Sequence, residues 1–460
     1  MSLFKKVFSF ISFWLAMLPF LDAQTINTGA GSLSYDPHKI NTVTTAVPFL
    51  RIVPDARAGG MGDVGIAVPT YGNGTDVNDY RNPDVNGLYT NPAKIAFIDK
   101  DYGFALTFSP WLKALVNDIY LANITGYYKV KKQQTLAISL RYFSLGSIQF
   151  TDVNGANLQQ FRPNEFAVDV HYARVLGKYF SIAASLRYIY SNLAGGTSVD
   201  GALVKPGMAG SGDISWFFHK KFNENANHKL EHEFSCGMDI SNIGSKMSYT
   251  SSYIKDFIPT NMGIGFGYTL ELDKHSSVGA YADFNKLMVP TPNTKYDSAN
   301  RTYYYREESS IKGMFTSFGD APALEELKSI TVGIGAEYFY NRQFGIRFGY
   351  FYEDATKGGR QFLTAGLTVK YSVVGLNFSY LIPTTIQRNP LDNTLRFTLL
   401  FDFLKGGKKS SSENSGVSLV PDTPSPKKAK KAEADKEQPV QPQVPVQIPA
   451  QQPTPVDAPK

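Results

Sequence analysis

Only one cysteine, Cys236, occurs in the 460 residues. A lone thiol excludes an internal disulfide framework and any thiolate metal cluster, and with no cysteine near the leader no lipoprotein anchor is expected. Long apolar runs are missing too. After residue 23 no uninterrupted stretch approaches the roughly 20 residues that a spanning helix needs. Concentrated positive charge is absent from the body of the chain. Of the formal net charge of +6, residues 405–460 supply half, with nine Lys against six acidic residues, and the leader adds one more through Lys5, Lys6 and Asp22. Nucleic-acid binding asks for a clustered basic face, so no nucleic-acid partner is expected. Catalytic motifs are equally scarce. His228 and His232 stand four apart beside Glu231 and Glu233, which is not the His-Glu-x-x-His order of a zinc peptidase. The run Gly59-Gly60-Met61-Gly62 lacks the Gly-Lys-Ser/Thr ending of a phosphate loop, and no Gly-x-Ser-x-Gly elbow occurs. The expectation is a protein that is not an enzyme and carries no cofactor and no metal.

What is present begins with a leader. Lys5 and Lys6 form a short positive region, residues 7–20 are almost wholly apolar, and Leu21-Asp22-Ala23 ends on a small residue before Gln24. This is the pattern of a signal peptide over residues 1–23. Its apolar core of about 14 residues is too short to span a bilayer.

The body favours strands. The 27 Tyr, 32 Phe and 39 Gly of the whole chain suit strands with aromatic girdles better than helices. Between residues 101 and 403 the hydrophobicity alternates with a period of two. Leu136, Ile138, Leu140 and Tyr142 share one face, and Thr135, Ala137, Ser139 and Arg141 share the other. Phe344, Ile346, Phe348 and Tyr350 oppose Gly345, Arg347 and Gly349 in the same way, and Leu395, Phe397, Leu399, Phe401 and Phe403 oppose Arg396, Thr398 and Asp402. Successive side chains of a strand point to opposite faces, so one face is apolar and the other small or polar. A soluble sandwich also alternates. Three features favour a transmembrane barrel: strands near the 9–11 residues a tilted membrane strand requires, an inner face rich in Gly, Ser, Thr and Arg as a hydrated lumen would want, and connections that alternate long and short. Candidate strands start near 101, 118, 133, 165, 179, 209, 232, 261, 276, 330, 343, 361, 373 and 394. Long connections fall at 110–117, 145–164, 194–208, 243–260 and 287–329, and tight ones include Leu176-Gly177-Lys178 and Asn341-Arg342, with 219–231 the one long member of the short set. An even strand number with short turns at one end and long loops at the other is the plan of bacterial outer-membrane barrels. Both ends of the barrel would then face the periplasm. Gly263, Gly265 and Gly267, and Gly333 with Gly335, line single faces. Such rows let other backbone or side chains come close.

Residues 24–100 do not read as membrane strands. They hold Phe49-Leu50-Arg51-Ile52-Val53-Pro54-Asp55-Ala56-Arg57-Ala58-Gly59-Gly60-Met61-Gly62-Asp63, and later Asn91-Pro92-Ala93-Lys94-Ile95-Ala96-Phe97. Asn suits an N-cap and Pro the first helical position, so the second run predicts a short helix whose Ile95, Ala96 and Phe97 pack on something close by. The two runs together, placed just before the first strand, resemble the FadL-type barrel superfamily, and residues 49–63 are most similar to its PorV family; the similarity extends over about residues 45–404. The resemblance implies an all-β fold: a transmembrane antiparallel barrel of about 14 strands over residues 101–404, plugged by an N-terminal hatch over residues 24–100. It implies a role in the type IX secretion system of Bacteroidetes. Proteins of this kind associate with a very large translocon barrel in outer-membrane lipid and receive cargo bearing a C-terminal signal domain. They pass it to a surface attachment complex that removes the signal. Such a barrel conducts nothing.

The hatch/plug residues singled out are Asp55, Arg57, Gly59, Gly60, Gly62, Asp63, Asn91, Pro92 and Ala93. Arg57, Asp55 and Asp63 are expected to pair with inward charges such as Arg141, Arg187, Arg347 and Arg396, since unpaired charge in the lumen is costly. The hatch is either gated or a permanent plug. Candidate partner surfaces are Trp111, Leu112 and Leu115 in the first long loop, and Met288, Val289, Tyr303, Tyr304, Tyr305, Met314 and Phe315 in the longest one, where a short helix is expected over residues 323–328. These residue types are enriched at protein interfaces; the competing expectation is that the loops pack on one another to cap the barrel. Residues 405–460, rich in Lys and then in Pro, Gln and Val, predict a disordered periplasmic tail, either a tether or without a dedicated role. Two other functions fit the same barrel. One is a FadL-like transporter of hydrophobic small molecules, which needs an apolar pocket of a few hundred Å³ and an opening in the wall. The other is a PorQ-like scaffold in the same secretion system.

Overall fold

The computed structural model describes residues 42–70, 84–111, 118–151, 157–196, 198–199, 202–222, 231–250, 255–273, 275–292, 296–297, 302–303, 306–341, 343–384 and 394–403. The leader, the tail, and the turn holding His228 lie outside the described residues. Fourteen strands close into one antiparallel barrel: β1 (Tyr102–Pro110), β2 (Ile119–Lys131), β3 (Gln134–Leu145), β4 (Asn164–Gly177), β5 (Phe180–Asn192), β6 (Gly207–Phe222), β7 (Glu231–Gly244), β8 (Asn261–Glu271), β9 (Ser276–Leu287), β10 (Ile330–Tyr340), β11 (Phe344–Tyr352), β12 (Gln361–Tyr371), β13 (Val374–Pro383) and β14 (Leu395–Phe403). Each strand begins within two residues of its expected start. β1 pairs with β14 from Tyr102 opposite Phe403 to Phe108 opposite Phe397, which removes both open edges.

The alternation sorts side chains as the period of two demands. In β1, Phe104, Leu106 and Phe108 are 40–48% exposed while Ala105, Thr107 and Ser109 are buried. Such an outer surface would be untenable in water and suits acyl chains. Aromatic rings mark both rims of the band. Phe108 lies 5.4 Å from Tyr120, and Phe166 stacks on Tyr190 at 5.0 Å, near the long-loop end. At the other end Tyr102 stacks on Phe403 at 5.1 Å and Phe104 on Phe401 at 4.6 Å. Among the described residues no helix is long and apolar enough to cross a membrane.

The inner face differs from the expected hydrated lumen, because residues 42–70 and 84–98 occupy it. This segment is irregular: short 3₁₀ turns at Pro48–Arg51 and Pro92–Phe97, and two four-residue helices, α1 (Ala56–Gly59) and α2 (Gly87–Thr90). Asn91 caps the second 3₁₀ turn, its side chain accepting from Ala93 N at 3.0 Å with Pro92 in the first position, as the residue order predicts. Ile95 and Ala96 are fully buried, and Phe97 meets the Phe217 ring edge-on at 6.2 Å.

The inner glycines explain how an irregular chain fits. Gly335 and Gly349 face each other across β10 and β11, and the Met61–Gly62 backbone runs directly over them. A Cβ on Gly335 would lie 2.6 Å from Met61 Cβ. Gly62 has φ +71°, which favours glycine, and a Cβ there would strike the Tyr350 carbonyl. Gly263 and Gly265 likewise admit Ile66. The wall is flat where the hatch backbone lies against it.

Substituting Gly335→Leu is expected to destabilise the protein by about 1–3 kcal/mol, the usual cost of overpacking, seen as a lower thermal midpoint in detergent. Ala336→Leu, one residue away on the exposed outer face, serves as control and should change nothing. Equal midpoints for the two variants would show that the hatch is not seated on this wall.

Candidate functional site

An irregular segment inside a barrel carries backbone donors and acceptors without ladder partners, and burial makes each unpaired group costly. Here the partners come from inward side chains around the ring. Ala56 N donates to Thr398 Oγ1 (3.1 Å) on β14 and Gly62 N to Thr364 Oγ1 (2.8 Å) on β12. Gly65 N and Ile66 N share Asp283 Oδ2 (2.7 and 2.9 Å) on β9. Ser235 on β7 donates to the Ala67 carbonyl (2.7 Å), and Ser181 on β5 to that of Ala93 (2.7 Å). Ser215 on β6 meets Ala93 N at 3.2 Å. Thr125 on β2 donates to Asn86 Oδ1 (2.8 Å), and Arg141 on β3 to the Leu50 carbonyl (3.0 Å).

One ion-pair cluster crosses from hatch to wall. Arg57 donates from Nε and from the second guanidinium nitrogen to the two oxygens of Glu337 on β10, at 3.0 and 2.8 Å. This bidentate geometry is the strong form of the interaction. Arg347 on β11 donates to the same carboxylate, so Glu337 is held between a hatch guanidinium and a wall guanidinium. Arg57 also lies 3.8 Å from Asp84 and donates to the Pro69 carbonyl at 3.0 Å, which binds the two halves of the hatch together. All four charged side chains are buried.

The expected partners are therefore corrected in part. Of the hatch acids, Asp63 alone meets an arginine of the expected set, Arg396 at 3.5 Å. Asp55 instead caps α1 by accepting from Ala58 N at 2.9 Å. Arg57, being a cation, takes a wall acid, not a wall arginine. Arg141 stacks over the Tyr89 ring at 4.2 Å. Arg187 does not reach the hatch acids. It pairs with Asp169 and with Asp213 (2.8 Å) of its neighbouring strands. Gly59 gives way to the Arg396 guanidinium and Gly60 to the Gly366 backbone, a Cβ on Gly60 falling 3.0 Å from Gly366 Cα. Pro92 and Ala93 sit buried behind the Asn91 cap. Glu337, Asp283, Thr398 and Thr364 were missed. Their only signal was polarity in the inward register of an alternating strand.

The space left between hatch and wall includes a cavity of about 110 Å³, bordered by Asp63, Arg187, Asp239, Asn242, Asp283 and Arg360. It is small and of mixed lining, with Leu50, Val53, Ile66 and Phe351 beside the charged groups; a second, larger hollow of about 850 Å³, mostly apolar, opens on the wall beside Val170, Leu186, Tyr188 and Ile214.

The long-loop end corrects a second expectation. Trp111, Met288, Val289 and Met314 are buried, each under 8% exposed, so they do not offer a free surface. Trp111 belongs to a cluster with Phe49, Leu50, Leu121, Phe143 and Met247 that roofs the hatch. Apolar loop side chains bury themselves on the nearest apolar neighbour, here the hatch entrance. Phe315, by contrast, is 70% exposed. Tyr303 closes a small hairpin between Tyr296–Asp297 and Thr302–Tyr303. Leu112, Leu115, Tyr304 and Tyr305 lie outside the described residues. The helix expected over residues 323–328 is present as Ala323–Lys328.

A closed barrel with an apolar belt outside and a bonded hatch inside defines a plugged β-barrel of the outer-membrane type. Comparison with known proteins carries this further. The family model "Type IX secretion system protein PorV" matches residues 36–294, more than half of the chain, and the protein belongs to that family. No curated protein matches. Among solved structures, the toluene transporter TodX of Pseudomonas putida is 11% identical over 75% of this chain and 95% of its own, with a TM-score of 0.40. The toluene transporter TbuX of Ralstonia pickettii is 13% identical over 75% and 97%, with a TM-score of 0.38. A FadL homologue of Pseudomonas aeruginosa is 10% identical over 79% and 100%, with a TM-score of 0.35.

Removing one member of a buried, hydrogen-bonded ion cluster costs about 3–5 kcal/mol. Arg57→Ala is expected to lower the unfolding free energy by about that much and to expose residues 56–66 to protease. A loss below about 1 kcal/mol, the value of an exposed pair, would contradict the lock. Asp84 gives a pH test. Burial, then the Asp55 carboxylate, push it up to about 7, against the pull of Arg57 and Lys94. The folded hatch thus prefers the protonated acid. Its stabilising effect is full below the ordinary value of 3.8 and is lost as pH rises to about 7. Asp84→Asn should flatten the fall in unfolding midpoint across that window; an unchanged pH profile would overturn the assignment.

Proposed function

We propose that this protein is the docking and shuttle barrel of a type IX secretion system. It sits beside the large translocon barrel and receives cargo carrying a C-terminal signal domain. It then delivers that cargo to the surface attachment complex whose protease removes the signal. In this reading the long loops face the cell surface, both barrel ends face the periplasm, and the protein acts by binding, without catalysis. The observation that carries the reading is the family match over residues 36–294. Two structural features support it. The hatch is bonded to strands around the ring and locked through Arg57 and Glu337, which suits a permanent plug. The cavity between hatch and wall is about 110 Å³, below the few hundred Å³ that a small-molecule site needs. Work then falls to the loop end of the barrel.

Purification of the full chain from its native outer membrane in mild detergent tests this. A very large barrel and secreted proteins sharing a C-terminal domain are expected in the eluate by mass spectrometry. Recovery of the protein alone, or with only a small bound hydrophobe, would sink the shuttle reading.

A further inference from the structure

The connection after β9 carries two short helices, α3 (Ser310–Thr316) and α4 (Ala323–Lys328). Their polarity is inverted with respect to the protein. α4 is tied down by its charged side: Glu326 pairs with Lys286 at 2.6 Å and Glu325 with Lys357 at 2.8 Å. Ser329, just past the helix, accepts a further bond from Lys286 at 2.7 Å. The opposite side is apolar and bare. Leu324 and Leu327, three apart, are 68% and 64% exposed, and Ile311 and Phe315, four apart, are 67% and 70% exposed. These spacings put each pair on one helix face.

The position of Lys286 tells which way the segment folds. Asp283 points into the lumen, where it holds Gly65 and Ile66, so Phe284 and Lys286 belong to the outward row of β9. Phe284 is 42% exposed, as a lipid-facing residue should be, yet Lys286 is only 8% exposed. Glu326, Ser329 and the Phe318 ring, 5.6 Å from the ammonium, cover it. α4 therefore lies over the outside of the wall, while α3 packs on Phe257 and Pro290 of the loops, a Cβ on Gly313 falling 2.8 Å from the Phe257 ring. Two residues along a strand span about 7 Å, which places α4 at the upper edge of the apolar band that Phe284 and the neighbouring Ile334 define. The bare face of α4 thus adjoins the lipid-facing wall, and α3 with its own bare pair precedes it in the same connection.

We infer that α3 and α4 form an interfacial foot, with Ile311, Phe315, Leu324 and Leu327 seated in the acyl-chain edge of the leaflet on the long-loop side. An apolar helix face lying in the plane of a bilayer gains from burial in the headgroup–acyl boundary, and the ion pairs to Lys286 and Lys357 fix the helix so that this face points outward. The inference requires a membrane barrel and nothing about its cargo, so it stands or falls separately from the shuttle reading.

Single-cysteine labelling tests it in the full chain. Cys236→Ser removes the one native thiol, and Phe315→Cys or Leu327→Cys introduces a site for a bimane fluorophore. Phe348→Cys, on the wall and 62% exposed, is the lipid-facing control. Each variant is first matched to its parent in thermal midpoint. In phosphatidylcholine nanodiscs containing doxyl-labelled phosphatidylcholine, labels at 315 and 327 should lose fluorescence as strongly as the control and resist quenching by iodide. Strong iodide quenching with no loss to the doxyl lipid would overturn the foot and leave this face free for a protein partner instead.

Discussion

Irregular backbone inside a barrel has to find a hydrogen-bond partner for every buried amide and carbonyl, and this requirement shapes most of the structure. The hatch has almost no ladder of its own. Its amides at Ala56, Gly62, Gly65 and Ile66 are served by Thr398, Thr364 and Asp283, and its carbonyls at Ala67 and Ala93 by Ser235 and Ser181. The short hydroxyls and carboxylates of the inner face are thus the second half of the hatch's secondary structure. Glycines help, because the hatch backbone comes closest to the wall where the wall lacks Cβ atoms, as at Gly335 and Gly349.

Charge is arranged on the same logic. A guanidinium inside a barrel needs a partner of opposite sign, and Glu337 meets that need for Arg57 and Arg347 together. The pairing ties a residue of the first hundred to one more than two hundred positions later. Arg187 solves the same problem within the wall, through Asp169 and Asp213. The two arrangements divide the labour: one stiffens the wall, the other fastens the plug.

Much of this was legible in the residue order, and the reasons differ by element. The strands could be read because alternation has a fixed period and the short connections are too tight to hide a boundary. The Asn91 cap could be read because its mechanism is local, contained in three consecutive residues. The partner of Arg57 could not. Glu337 stands in the inward register of its strand like many other residues, and which inward residue lies beside α1 depends on how far the hatch enters and on the stagger of the closed sheet. The loops failed for a different reason. Trp111 has the composition of an interface, but the same composition serves to roof the hatch, and only the fold distinguishes the two. The outward turn of α4 was equally hidden, since it rests on Glu326 finding Lys286 of β9 and Glu325 finding Lys357 of the connection after β11.

A plugged barrel requires a lumen filled by a hatch that stays in place. The proposed docking function would then operate around the barrel and not through it. Electrical recording of the purified full-length protein in a planar lipid bilayer measures this most directly. A barrel of this strand number without its hatch would pass ions, so the intact protein should insert without adding conductance, while a variant lacking residues 42–98 should open steady channels. Persistent open channels from the intact protein would contradict the plugged barrel at its centre.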